Sequence, residues 1–121
     1  MTMTAQETIE RFWEIQNGGD YTQVVPLFAD DAVVVDPFYG TFTGREAIAG
    51  FMAKMVEVMS ASDTHFTVVE IAGGGEVAWA QWIAHTPRGD IPGCGLYRVR
   101  NGQLTYYKDY MNAAEPGDEN P

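Results

Sequence analysis

Apolar residues recur at helical spacing in the first half of the chain and alternate at strand spacing in the second. After Thr4, the residues Ile9, Phe12, Trp13 and Gln16 fall on one helical stripe, and Glu7 stands three positions on, where a hydroxyl and a carboxylate cap a helix start reciprocally. Asn17-Gly18-Gly19 stops that helix. Asp20 or Thr22 can cap a short second helix through Val24, Val25, Leu27 and Phe28, with Pro26 tolerated only in a first turn. Ala32 to Val35 then read as a buried strand that Asp36 closes, because Pro37 forces extended geometry on Asp36 and ends the ladder. Gly40 and Gly44 punctuate a turn. A third helix follows, with Thr43 and Glu46 at capping-box spacing and Ile48, Phe51, Met52, Met55, Val56 and Met59 at helical spacing.

The remainder reads as strand. Phe66 to Ile71 and Val77 to Thr86 form a hairpin about the flexible tip Gly73-Gly74-Gly75. Pro87-Arg88-Gly89-Asp90 turns into Cys94 to Arg100, and Asn101-Gly102 is a two-residue hairpin turn into Leu104 to Asn112. Three helices against a mostly antiparallel sheet make an α+β fold.

Composition narrows the partners. At 121 residues the chain is expected to form one domain over residues 1–114, followed by an acidic disordered tail, EPGDENP, over 115–121. Seventeen acidic against seven basic side chains give a formal charge of -10, which repels nucleic acid and anionic membrane. The single Cys94 makes no internal disulfide, and the start of the chain carries no basic and apolar leader, so a soluble, cytoplasmic protein is expected. No His or Cys pair has metal-ligand spacing, and the glycine run lacks the lysine and helix of a phosphate loop, so no metal and no cofactor are expected.

The residues Gly19-Asp20, Phe28-Ala29-Asp30-Asp31-Ala32, Asp36-Pro37 and Gly44-Arg45-Glu46-Ala47-Ile48 resemble the NTF2-like superfamily, in particular its ketosteroid isomerase and SnoaL-like branches. The resemblance implies a cone in which the helices and a curved sheet enclose an apolar pocket. It also implies a homodimer formed through the outer sheet face, expected here to carry Trp82, Tyr106 and Tyr110. By resemblance Asp36 stands at the position of the isomerase general base. That chemistry needs a carboxylate in an apolar pocket, where loss of water makes it a stronger base. The competing reading is a turn-forming Asp that bonds nearby backbone amides.

The isomerase's oxyanion donors are absent. Aligning on Gly19-Asp20 and on Asn101-Gly102 puts Phe12 and Cys94 where a tyrosine and a protonated acid would stand, and supporting tyrosines fall at Phe28 and Met52. Losing one such donor costs about a hundredfold or more in rate, so efficient ketosteroid isomerisation is not expected. Asp109 is the second candidate. It lies on a closing strand like that of the SnoaL-like and limonene epoxide hydrolase branches, sharing a face with Thr105, Tyr107 and Met111. The arginine and second aspartate of the hydrolase are missing from Val77 to Ala80. His85 alternates with Val77, Trp79, Gln81 and Ile83 and joins the candidates if that face is inward; His65 is expected at the surface.

The pocket wall is expected from Phe12, Phe28, Phe51 and Met55, with Met52, Trp79, Cys94 and Tyr107 completing it. The expected function is binding of a small hydrophobic, polycyclic or terpenoid-like molecule, with cofactor-independent isomerase or cyclase chemistry through Asp36. The alternative is a non-catalytic ligand-binding or dimer-forming module.

Overall fold

The computed structural model describes residues 2–111. The first helix, α1 (Ala5–Gln16), starts as its sequence demands: the Thr4 hydroxyl accepts from Glu7 N at 3.2 Å and the Glu7 carboxylate accepts from Thr4 N at 2.9 Å. Ile9, Phe12 and Trp13 are buried beneath it. Asp20 accepts from Thr22 N, but the segment it caps, Tyr21–Leu27, winds as a 3₁₀ helix and not an α-helix. Pro26 has no amide hydrogen to close an α-helical turn, and Phe28 already belongs to the next strand.

Strand β1 (Phe28–Asp36) is longer than the expected Ala32 to Val35, because the segment before it is fixed by pairing with the far end of the chain. The expected turn between Gly40 and Gly44 holds a short strand, β2 (Gly40–Thr43), antiparallel to β1. Helix α2 (Arg45–Ala61) is capped by Gly44 with no side-chain bond, so the Thr43–Glu46 capping box does not form: Thr43 is occupied in the β2 ladder opposite Val33. Arg45 anchors the helix start instead. Its guanidinium bonds the Phe28 carbonyl and lies 3.0 Å from the Asp30 carboxylate.

Four strands complete the described residues: β3 (His65–Gly73), β4 (Val77–Thr86), β5 (Gly89–Arg100) and β6 (Gln103–Met111). The curved, open sheet runs β2-β1-β6-β5-β4-β3, antiparallel except where β1 meets β6. The β5–β6 turn is the one its sequence announces, with Asn101 at φ 54° and Gly102 at φ 77°. β5 begins five residues before the expected Cys94, so that Pro92 sits within it opposite Ile83. Residues 112–121, which include Asn112, the expected domain end and the acidic tail, lie outside the described residues.

The inner sheet face of β4 is Ala78, Ala80, Trp82 and Ala84, all buried, while Val77, Trp79, Gln81, Ile83 and His85 point outward. This reverses the expectation for both tryptophans: Trp82 faces the helices and Trp79 faces solvent. The alanines leave room for α1, which packs against β4, and the outward set would not. Phe12 lies at the centre of an aromatic cluster, its ring centre 6.3 Å from Phe28, 5.8 Å from Tyr97 and 5.6 Å from Tyr107. Offset and edge-on contacts of this kind add to what area burial supplies.

Candidate functional site

Between α2, the end of α1 and the inner sheet face lies a cavity of about 600 Å³. Phe51, Met52, Met55 and Met59 of α2 form one wall, Trp82 and Tyr107 the opposite one, and Phe38 and Tyr39 of the β1–β2 turn stand at its edge. Two carboxylates line it, Asp36 and Asp109. Val35 pairs with Lys108 in the parallel ladder, which sets Asp36 beside Asp109 on neighbouring strands.

The two are held differently. Asp36 ends β1, and its Oδ2 accepts from the backbone N–H of both Phe38 and Tyr39 at 2.9 Å. This is the turn-forming arrangement weighed against the general base in the sequence, and Pro37 enforces it by ending the ladder and leaving two amides in need of an acceptor. Asp109 sits inside β6 with strands on both sides. Its Oδ2 accepts from the Tyr107 hydroxyl at 2.8 Å, and its buried Oδ1 has no partner among the described residues. Burial raises the Asp109 carboxyl from its ordinary 3.8 to about 7; the Tyr107 hydroxyl opposes this rise, Asp36 nearby adds to it, and the Trp82 indole opposes it weakly. Burial likewise pushes the Tyr107 and Tyr97 hydroxyls well above their usual range, with the Asp109 charge adding to both. Tyr107 therefore stays protonated and donates. Tyr97 stacks on it at 4.6 Å and accepts from the Trp13 indole at 3.1 Å.

Of the apolar residues expected at the pocket, Phe51, Met52, Met55 and Tyr107 line the cavity. Phe12 and Phe28 do not; both are wholly buried in the aromatic core behind it. Trp79 and Cys94 lie on the outer sheet face with Tyr110, beside a separate hollow. His85 is outward too. Its Nδ1 lies 3.0 Å from Asp90 and its Nε2 2.8 Å from the Thr67 hydroxyl, with His65 stacked on it at 4.8 Å, so it reaches neither Asp36 nor Asp109. For Trp79 and His85 the cause is one ambiguity: β4 carries large apolar residues on both faces, and parity alone does not say which turns in; Cys94 of β5 lies opposite the outward Gln81. No group of three metal-ligating side chains occurs among the described residues.

Sequence reasoning missed Trp82, Gly93 and Gly95. A β-carbon at Gly93 would lie 2.4 Å from the Trp82 ring, and one at Gly95 would lie 2.9 Å from the Tyr97 hydroxyl and 3.1 Å from Asp109 Oδ1. The two glycines are thus the floor on which the indole and the carboxyl rest. Glycine inside a strand signals such a close approach, and Gly93-Cys94-Gly95 carried that signal in the sequence.

The SnoaL-like domain family model matches residues 9–107. The chain belongs to this family. Among curated proteins, none matches significantly. Solved structures share the NTF2-like fold of this SnoaL-like domain at low identity. A protein from Catenulispora acidiphila with a ketosteroid isomerase-like fold, in complex with trimethylamine, has a TM-score of 0.74 at 24% identity, over 98% of this chain and 100% of that one. The epoxide hydrolase/cyclase-like enzyme SalBIII of salinomycin pyran-ring formation gives 0.73 at 14%, over 90% and 91%. An NTF2-like protein of unknown function from Cytophaga hutchinsonii gives 0.71 at 16%, over 92% and 93%. Such identities establish the fold of the SnoaL-like domain and leave its chemistry to the site.

Proposed function

We propose that this SnoaL-like protein binds a small hydrophobic molecule, polycyclic or terpenoid in size and shape, in the cavity, and moves a proton on it without a cofactor. The observation that carries the reading is Asp109: a carboxyl in an apolar cavity, poised near neutrality, with one oxygen held by Tyr107 and the other unpartnered. A group so poised can take a proton at physiological pH and return it. Asp109 thus has the acid–base role that the sequence assigned to Asp36, and Asp36 fixes the turn carrying Phe38 and Tyr39. The isomerase- and cyclase-like names among its structural neighbours agree with isomerase or cyclase chemistry in such a cavity. His85 has no part in this reading. We place the protein as a homodimer through the outer sheet face, where Trp79 and Tyr110 expose large apolar surface, in a reducing cytoplasm that suits one free cysteine.

The base is tested with a substrate-independent probe. In the ring opening of a nitrobenzisoxazole, a carboxylate takes the ring C–H proton, the N–O bond breaks and a coloured cyanophenolate forms. The wild type is expected to accelerate this with a rate that rises through about pH 7. Asp109→Asn is expected to abolish the acceleration and Asp36→Asn to retain most of it. A wild type no faster than Asp109→Asn would refute proton transfer and leave the non-catalytic binder, the reading under which the cavity only holds its ligand.

A further inference from the structure

Two buried polar atoms of the inner sheet face have no hydrogen-bond partner in bonding geometry among the described residues, although the indole stands near enough to the carboxyl to favour its charged form; they differ in kind, Trp82 Nε1 being a donor and Asp109 Oδ1 an acceptor. They belong to one place. Trp82 pairs with Gly93 across β4 and β5, Asp109 pairs with Gly95 across β5 and β6, and the two glycines are two residues apart on the same face of β5. Both side chains line the cavity, and Trp82 is only 2% exposed. A buried polar group left unpaired costs free energy, and two such groups side by side are seldom kept without a purpose.

A single oxygen that both accepts and donates satisfies them together. An ether or ketone oxygen accepts from the indole and leaves the carboxylate alone; an ammonium serves the carboxylate and leaves the indole N–H alone. A hydroxyl does both. Because the two atoms have no contact with bulk water, the partner must come from within the cavity, attached to something that fills it.

We propose that Trp82 Nε1 and Asp109 Oδ1 form a docking site for the hydroxyl group of a neutral alcohol or phenol whose apolar body occupies the cavity. The proposal rests on the ligand-binding reading above and adds the polar group by which the ligand is recognised. In the complex the ligand hydroxyl accepts from the indole N–H and donates to the carboxylate, while Tyr107 keeps its own bond to Oδ2. No covalent step is involved. Trp82 then sets specificity: a hydroxyl is recognised, and a hydrocarbon of the same shape leaves both groups unpaired.

The test compares β-naphthol, its methyl ether and naphthalene by isothermal titration calorimetry at about pH 8, where the phenol is neutral and the carboxyl charged. The hydroxyl compound is expected to bind about tenfold more tightly than either of the others, since a charge-assisted bond and a rescued donor are gained together. Trp82→Phe keeps an aromatic ring and removes the donor. It is expected to lower the naphthol preference severalfold while leaving the naphthalene affinity within about threefold of wild type. If the three compounds bind the wild type alike, the indole and carboxyl are satisfied by each other or by a held water, and the hydroxyl site is overturned while the cavity reading stands. If none of them binds, both fail. The wild-type comparison decides even should Trp82→Phe fold poorly.

Discussion

Replacing Asp109 with Asn removes one ionisation while keeping the side-chain shape and an oxygen that accepts from the Tyr107 hydroxyl. In the folded protein burial raises the carboxyl from 3.8 to about 7. A folded-state value above the unfolded one means that the native state holds the proton more tightly, so this group favours folding at low pH. That contribution is fully present below 3.8 and is lost as pH climbs through about 7, because the unfolded chain ionises first and the folded one must follow at a cost. Each pH unit between the two values is worth about 1.4 kcal/mol, so the rise from 3.8 to about 7 sets a ceiling of roughly 4 kcal/mol. Relaxation around the charged group lowers this, and about 2 kcal/mol is a working value. Asp109→Asn is therefore expected to melt higher than wild type by about 8 °C or more near pH 8, with the gain vanishing near pH 4. Melts of both proteins by circular dichroism across that range measure it. Groups remote from Asp109 see the same surroundings in both proteins and cancel in the difference, while the repulsion between Asp36 and Asp109 is part of what the difference measures. A variant that melts lower at the alkaline end, or a gain that does not change with pH, would refute the desolvated carboxyl and the acid–base role built on it.

Three further outcomes follow from other contacts. Gly93→Ala places a β-carbon against the rigid edge of Trp82 and is expected to cost about 1 to 3 kcal/mol in chemical denaturation; an unchanged stability would remove the close approach of the indole to β5. Asp36→Ala leaves the Phe38 and Tyr39 amides without their acceptor and is expected to destabilise by about 1 to 2 kcal/mol, which thermal melts report; an unchanged or raised melting temperature would remove the turn-holding role. Light scattering at micromolar concentration is expected to return a dimer, burying on the order of 1,200 Å² or more in total, and Trp79→Asp on the outer face is expected to shift it towards monomer without loss of the fold.

Much of the fold was legible because local rules and tertiary needs agree. Thr4 and Glu7 cap α1 reciprocally, Asn101-Gly102 takes the tight turn its residue types favour, and the alternation from Tyr107 to Met111 put Asp109 on one face with Tyr107 and Met111, the face that lines the cavity. Legibility failed where a segment satisfies two readings equally. β4 offers Val77, Trp79 and Ile83 on one face and alanines with Trp82 on the other, both apolar, so hydrophobicity could not choose. What chose was size. The helices need small residues beneath them, and the bulky face is left outside. Trp79 in the pocket, His85 there if its face turned inward, and Trp82 outside all turn on that one choice of face, whereas Cys94 of β5 was placed by aligning on the Asn101-Gly102 turn and lies opposite the outward Gln81.

Why Asp109 and not Asp36 is the carboxyl driven towards its neutral form follows from where each stands in the sheet. A strand end releases backbone amides from the ladder, and a carboxylate placed there meets them: Asp36, with Pro37 ending its strand, takes two. Those bonds satisfy one of its oxygens and spend it on holding the turn. Asp109 lies in β6 between β5 and β1, where strands on either side take up the neighbouring amides. Only side chains remain to serve it, and the inner face supplies one donor in bonding geometry, Tyr107. A carboxyl in mid-strand, facing an apolar cavity beside a second acid, is thus driven towards its neutral form by the same pairing that builds the sheet. Asp36 consequently supports the cavity's edge, and the desolvated carboxyl stands one strand over, at Asp109.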